Sequence, residues 1–289
     1  MWDLSTNALD TARLRGATYA DVRMMHLRQR DLTTKNGQVG TLAQSESIGI
    51  GVRVLASGAW GFASTDRLTR ESVSACAAQA VSIAKASALA KRGDVVMVPE
   101  DAYIDSWQSP FRKDPFELPL ENQLALLLAA DAEMRRVKGV TLTETGMQFR
   151  KIDSWFASSI GSRIHQRKLI TGCGIAATSF QGEEIQKRSY PNSFGGQHAL
   201  EGYELVESLE LLKHASRVGE EASALRSAAL RRCRQGLGES VSGLGAALAS
   251  NFFLTGESGA CAGFWLAVSA KVRRGRAGAC RSPELLPDP

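Results

Sequence analysis

The stretch SIGIGVRVLASGAWGFASTDRLTRESV, residues 47–73, carries the signals that decide the fold of the first part of the chain. Up to Ser64 its apolar residues alternate with glycine and polar residues, the period-two pattern of β-strands. Ser57-Gly58 marks a turn between a strand at 48–55 and a strand at 59–64, and Thr69 begins a helix that runs to about Lys91. The stretch therefore predicts a β-hairpin that leads into a helix.

The residues before this stretch extend the same pattern. Tyr19 to Arg30 predicts a strand in which Val22, Met24 and His26 share one face. Asn36-Gly37 is a strong turn signal because Asn-Gly tolerates positive φ, and residues 38–45 form the returning strand. Strands in sequence followed by a helix indicate an α+β domain over residues 1–92.

A second domain is expected after a connecting segment. Residues 93–117 contain several prolines and aspartates and are interpreted as a linker. Residues 118–228 then predict a helix to Lys138, strands at 140–150, 152–159, 163–180 and 183–190, and a helix from Tyr203 to Leu225. No parallel βαβ series is recognisable, which disfavours a dinucleotide-binding enzyme.

The C-terminal stretch, residues 229–289, differs in composition from the rest of the chain. Ala, Gly, Arg and Ser supply 31 of the 59 residues from 231 onward, and apolar periodicity is lost. We favour the interpretation that this tail is coding sequence read in a wrong frame, and the alternative is a low-complexity disordered tail.

Composition restricts the function classes. Of the formal charge of +5, the tail from Arg231 carries 8 − 4 = +4, so the basic pI is weak evidence for a nucleic-acid partner. The 5 cysteines form no CxxC pair and suit a reducing cytoplasm. No signal peptide is recognisable, and Glu257 in the middle of the apolar run 244–270 disfavours a membrane span.

The residues that could carry chemistry form no recognisable centre. His26, His165, His198 and His214 include no H-E-x-x-H and no pair at helical zinc spacing, so the chain is expected to bind no stoichiometric zinc. Cys173 and the pair Glu183-Glu184 are interpreted as a core thiol and a solvated turn. Gly49-x-Gly51 lies within a strand and is no phosphate loop. We therefore assign no catalytic, cofactor-binding or metal-binding residue.

Several segments together resemble a known family. They are ADVRMMHLRQ from Ala20, the Asn36-Gly37 hairpin, residues 47–73 and the helix AAQAVSIAKAS from Ala77. DPFELPLENQLALL from Asp114, the hairpin Ser159-Ile160-Gly161-Ser162 and Gly202-Tyr203-Glu204 add to them. Over about residues 15–228 the chain resembles the first two domains of the TldD/PmbA family.

The resemblance implies a metallopeptidase family. Its active members carry His-Glu-x-x-x-His in a third domain, where two histidines hold a metal, expected to be zinc, and the glutamate acts as general base. It also implies dimers enclosing a cavity for unfolded or extended peptides. The third domain should begin near residue 228, where the atypical tail starts, and its motif is missing from this chain. The resemblance therefore implies a chain that is truncated before the metal site and inactive by itself. The alternative is a non-catalytic binding subunit that holds peptide or pairs, as a homo- or heterodimer, with a family partner.

Overall fold

The computed structural model describes residues 1–182, 184–192 and 196–226, which lie within one compact unit, Met1–Ala229. The tail at 229–289, with its expected disorder or frame shift, lies outside the described residues, as does the apolar run 244–270. The helices are α1 (Trp2–Leu14), α2 (Arg70–Ala88), α3 (Leu120–Arg135), α4 (Glu204–Ser208) and α5 (Leu211–Arg226). The strands are β1 (Tyr19–Lys35), β2 (Gln38–Ala56), β3 (Ala59–Thr65), β4 (Ile104–Gln108), β5 (Leu142–Ser158), β6 (Arg163–Gln181), β7 (Glu184–Tyr190) and β8 (Gln197–Ala199).

These strands form one sheet in the order β3-β2-β1-β5-β6-β4, and β7 and β8 also pair with β6. Every pairing is antiparallel except the parallel pair β4 and β6. The predicted α+β class is confirmed. Strands β1 and β5 pair directly from Asp21 to Lys35, so the two predicted halves share the sheet. The domain boundaries at 1–92 and 118–228 stay a prediction.

The strands are longer than the sequence pattern suggests. The segments predicted at 38–45 and 48–55 form the single strand β2, and those at 140–150 and 152–159 form the single strand β5. Strand β4 lies inside the segment interpreted as a linker. The last predicted helix breaks between α4 and α5, where Glu210 has a φ of 43°.

All the described helices that contact the sheet pack on the same side, which we call the covered face. At one end α1 and α2 enclose a hydrophobic cluster with Val22, Met24 and Val52. At the other end α3, α4 and α5 enclose a second cluster with Met147 and Phe149. Because alternate residues of a strand point to opposite sides, the intervening residues of β1, β5 and β6 line the other side, the open face. Within the described ranges, no helix has the length and apolar character needed to cross a bilayer.

Candidate functional site

Between the two hydrophobic clusters the covered face is polar. The residues that form this polar band are His26, Glu46, Asp153, His165 and Arg167. They share one side because His26 is the register partner of Asp153, and Asp153 is that of Arg167. The predicted shared face of Val22, Met24 and His26 is confirmed by this register. The band as a group is not predicted from the sequence, although the change from apolar to charged residues along β1 is visible there.

Ion pairs and stacking organise the polar band. His26 Nε2 lies 2.5 Å from Glu46 Oε1, and Arg167 Nε donates to Asp153 Oδ1 at 2.9 Å. His165 Nε2 lies 3.4 Å from the same Asp153 oxygen, and its ring stacks on Trp155 with centroids 4.9 Å apart. Ser106 on β4 is the register partner of His165, but no hydrogen bond joins the two side chains. The band is therefore a network of paired charges without an activated nucleophile.

Cys173 and His198 lie on opposite sides of the sheet. Cys173 belongs to the core cluster on the covered face, where burial raises the pKa of its thiol to about 12. His198 on β8 lies over Gly172 on the open face, where its ring occupies the space that a Cβ would need. Because adjacent residues of a strand point to opposite sides, this imidazole cannot act as a base for this thiol.

The surroundings of His198 favour the neutral ring. Burial and the nearby charge of Arg150 lower the pKa of His198, and a backbone hydrogen bond with Gly196 opposes them. His198 Nε2 lies 3.2 Å from Gln148 Oε1. His214 lies on α5 and stacks on Tyr190, and Glu183 is outside the described residues. The sequence candidates are thus dispersed over the fold and do not converge on one point.

The open face offers a different kind of site. Its centre is formed by the partly exposed apolar side chains of Met25, Leu27, Ile152 and Ile170. No helix of the described part of the chain packs on it. A partly exposed apolar area of this kind is a candidate contact surface for another polypeptide.

A metal centre does not fit the part of the chain that the structure describes. No group of three or more His, Cys, Asp and Glu side chains lies there in an arrangement that could hold a metal ion. The two cysteines of these ranges, Cys76 and Cys173, are buried free thiols. We therefore derive no metal-dependent step from these residues.

The fold and the surfaces define an α+β module with one helix-covered and one open sheet face. Residues 20–84 match the family model described as PmbA/TldA metallopeptidase domain 1. A metalloprotease of Methanothermobacter thermautotrophicus is 27% identical over 73% of this chain and 44% of its own length. A metalloprotease of Methanocaldococcus jannaschii is 24% identical over 54% of this chain and 34% of its own length.

Solved structures share the fold. A Thermotoga maritima protein matches 76% of this chain and 47% of its own with a TM-score of 0.58 and 14% identity. TldE from Thermococcus kodakarensis also matches 76% of this chain and 47% of its own, with a TM-score of 0.52 and 13% identity. The predicted resemblance to the TldD/PmbA family is confirmed by the match of residues 20–84 and by these metalloprotease relatives. The chain spans less than half the length of these relatives.

Proposed function

We propose that this chain supplies the non-catalytic, peptide-handling part of a TldD/PmbA-type metallopeptidase and is inactive by itself. The match of residues 20–84 to the first domain of this metallopeptidase family carries the proposal. The relatives that are named metalloproteases are aligned over 44% and 34% of their length, so more than half of each lies outside the aligned region. In this proposal the metal, zinc, belongs to a region outside residues 1–226.

A second candidate is a binding subunit that pairs with a metal-bearing family member. The open face favours it, because its apolar centre at Leu27 and Ile152 remains partly exposed in the described chain. Burying such an area contributes about 25 cal/mol per Å² to association before the costs of binding are subtracted. Both candidates place the chain in the cytoplasm, in a dimer that acts on extended peptides.

One experiment tests the proposed function. The full chain, a metal-bearing TldD/PmbA protein and their mixture are each incubated with an unfolded peptide, and cleavage is followed by mass spectrometry. We expect no cleavage by the chain alone and an altered rate or cleavage pattern in the mixture. A mixture that behaves as the metal-bearing protein alone would contradict a shared function.

A matched pair of variants distinguishes specific pairing of the two proteins from a nonspecific effect of added protein. Leu27→Asp places a charge in the centre of the open face and should abolish the effect of the chain in the mixture if the binding-subunit candidate holds. Leu89→Asp is the control, because Leu89 is exposed at the end of α2, outside that face. It should leave the effect unchanged.

A further inference from the structure

A cavity of about 180 Å³ lies between α1 and the hairpin that joins β5 to β6, and we call it the α1 cavity. Its wall on α1 includes Ser5, Leu9 and Arg13, which share one side of the helix because they recur at every fourth position. Its other wall is formed by residues 157–159 and 161–163. One water takes about 30 Å³ in the liquid, so the cavity suits one small molecule or ion with a few waters.

Ser5 brings a buried hydroxyl without a partner to this cavity. Its side chain is fully buried, and in the part of the chain that the structure describes its Oγ has no hydrogen-bond partner. A helical serine can bond to the carbonyl oxygen four residues earlier, which here is that of Met1, but Ser5 does not. A buried hydroxyl that lacks a partner costs free energy. A ligand that accepts a hydrogen bond from Ser5 would recover this cost.

The hairpin wall presents three more hydroxyls. Ser158 Oγ accepts a hydrogen bond from the backbone N–H of Ser162 at 3.3 Å. Ser159 Oγ accepts one from Ala20 at 3.0 Å, and Ser162 Oγ accepts one from Tyr103 at 3.2 Å. Among the described residues none of the three donates in return, although each hydroxyl carries one proton. Their oxygens are thus held in place by the backbone while their protons stay available to a ligand.

The charges of the α1 cavity favour an anion. Two arginines, Arg13 and Arg163, and one carboxylate, Asp10, line it. Asp10 Oδ1 accepts a hydrogen bond from Arg13 at 3.1 Å, which neutralises this carboxylate. Within residues 1–182, 184–192 and 196–226, Arg163 forms no ion pair. The three charges sum to +1, and arginine is the side chain best suited to phosphate and carboxylate groups.

The distribution of the donors favours a phosphoryl group over a carboxylate. A carboxylate offers two oxygens in one plane, whereas a phosphoryl group offers three strong acceptor oxygens. A phosphoryl group can therefore accept from Ser5 on one wall and from Ser162 and Arg163 on the other. Trp2 and Leu9 add an apolar part to the α1 wall. This part suits the organic group of a small phosphate monoester.

We propose that the α1 cavity binds a phosphoryl group, either as free phosphate or as the monoester of a small organic molecule. The site uses no residue of the polar band or of the open face, so the inference goes beyond the proposed function. Its test needs no metal-bearing partner and no unfolded peptide, and its failure would leave the proposed function untouched.

The probes are inorganic phosphate, phenyl phosphate and acetate, each titrated into the full chain by calorimetry at constant ionic strength. We expect both phosphates to bind with a Kd of about 1 mM or below, and acetate at least about tenfold more weakly. Hydrogen exchange should show added protection at residues 2–13 and 157–163. Tighter binding of phenyl phosphate would assign the site to a monoester, and equal binding to the free ion, both within the proposal. Absence of phosphate binding, or protection elsewhere, would overturn it. Equal affinity for acetate would show an adventitious ion only.

Ser5→Ala separates ligand binding from a structural role of the buried hydroxyl. It should weaken phosphate binding about tenfold, because the ligand loses a charge-assisted hydrogen bond. The Tm of the ligand-free chain should stay the same or rise, because the variant removes a buried polar group that has no partner. Unchanged phosphate affinity, or a lower Tm with unchanged affinity, would overturn the role of Ser5 in binding.

Two exposed positions test the charges in opposite directions. Arg163→Gln should weaken phosphate binding about tenfold or more, because it removes the unpaired guanidinium. Asp10→Asn should strengthen it severalfold, because it removes the carboxylate and releases Arg13. Arg188→Gln is the control, since Arg188 is exposed on β7 away from the cavity, and it should leave the affinity unchanged. Equal losses in Arg163→Gln and Arg188→Gln would show attraction to the general charge of the chain and overturn the site.

Discussion

At the residue scale, Gly61 sets the distance between α2 and the sheet. A Cβ at this position would overlap the carbonyl oxygen of Ala80 and the backbone nitrogen of Ala84. Both belong to the backbone of α2, so they cannot move without shifting the helix. We expect Gly61→Ala to lower the free energy of unfolding by about 2 kcal/mol, the usual cost of overpacking a core.

Gly49→Ala is the matched control for this prediction. It lies on the neighbouring strand β2, and the nearest atom to an added Cβ is the Thr65 carbonyl oxygen at 3.6 Å, an ordinary contact. Its unfolding free energy should change by less than about 0.5 kcal/mol. Denaturant titrations of both variants measure the difference, and equal effects would show that the close approach at Gly61 does not limit stability.

Cys173 provides a prediction about reactivity and pH. Burial raises the pKa of its thiol from the ordinary 9.0 to about 12, so the folded chain holds it as an unreactive thiol. The folded pKa is the higher one, so the stabilisation is fully present below pH 9.0 and is lost as the pH rises towards 12. Iodoacetamide at pH 8 should modify Cys173 only after denaturation. Rapid alkylation of the native chain, mapped by mass spectrometry, would contradict the buried position.

At the element scale, Asp131 joins α3 to the sheet. Its buried carboxylate accepts a hydrogen bond from Thr143 Oγ1 at 2.7 Å and another from Arg135 Nε at 2.7 Å. Asp131→Ala leaves the buried Thr143 hydroxyl without this partner and should cost about 1–3 kcal/mol of unfolding free energy. Glu121→Ala, at an exposed position of the same helix, is expected to change it by less than about 0.5 kcal/mol. Similar losses in the two variants would show that the buried bonds contribute little.

Local elements with their own signals were predictable from the sequence. The helix predicted from Thr69 is α2, and Thr69 Oγ1 accepts a hydrogen bond from Ser72 N at 3.2 Å. The turn predicted at Asn36-Gly37 has φ values of 50° and 78°. The short strand β4 was not predicted, because its pairing with β6 depends on a partner about sixty residues away. Asp131 was missed for a similar reason, since its partner Thr143 lies on another element.

The candidate site depended even more on long-range pairing. His165 and Cys173 lie on the same strand, β6. The even spacing between them predicts from the sequence alone that both lie on one face of the sheet. That His198 lies on the side opposite Cys173 follows from β8 returning beside β6, with His198 in register with Gly172. The polar band likewise exists because β1, β5 and β6 bring His26, Asp153 and Arg167 into register. Such registers are set by tertiary structure and leave only an indirect trace in a single sequence.

At the scale of the whole molecule, the two faces of the sheet suit different roles. Its covered face is occupied by two hydrophobic clusters and the polar band, whose charges are paired with one another. No helix of the described residues packs on its open face, so that face is the candidate contact surface for another polypeptide. Holding an extended peptide contributes binding energy, but bond cleavage also requires a nucleophile, a proton shuttle and oxyanion stabilisation at one carbonyl.

We expect the full chain alone to cleave no unfolded peptide, because its described histidines and Cys173 do not converge on one point. The assay incubates the chain with an unfolded peptide, with and without a chelator, beside the Cys173→Ala variant. Turnover that the chelator abolishes would place a metal centre in the chain and contradict the prediction. Turnover that resists the chelator but is lost in Cys173→Ala would contradict it by a second route, since that thiol would then have to reach a base despite its burial and its raised pKa.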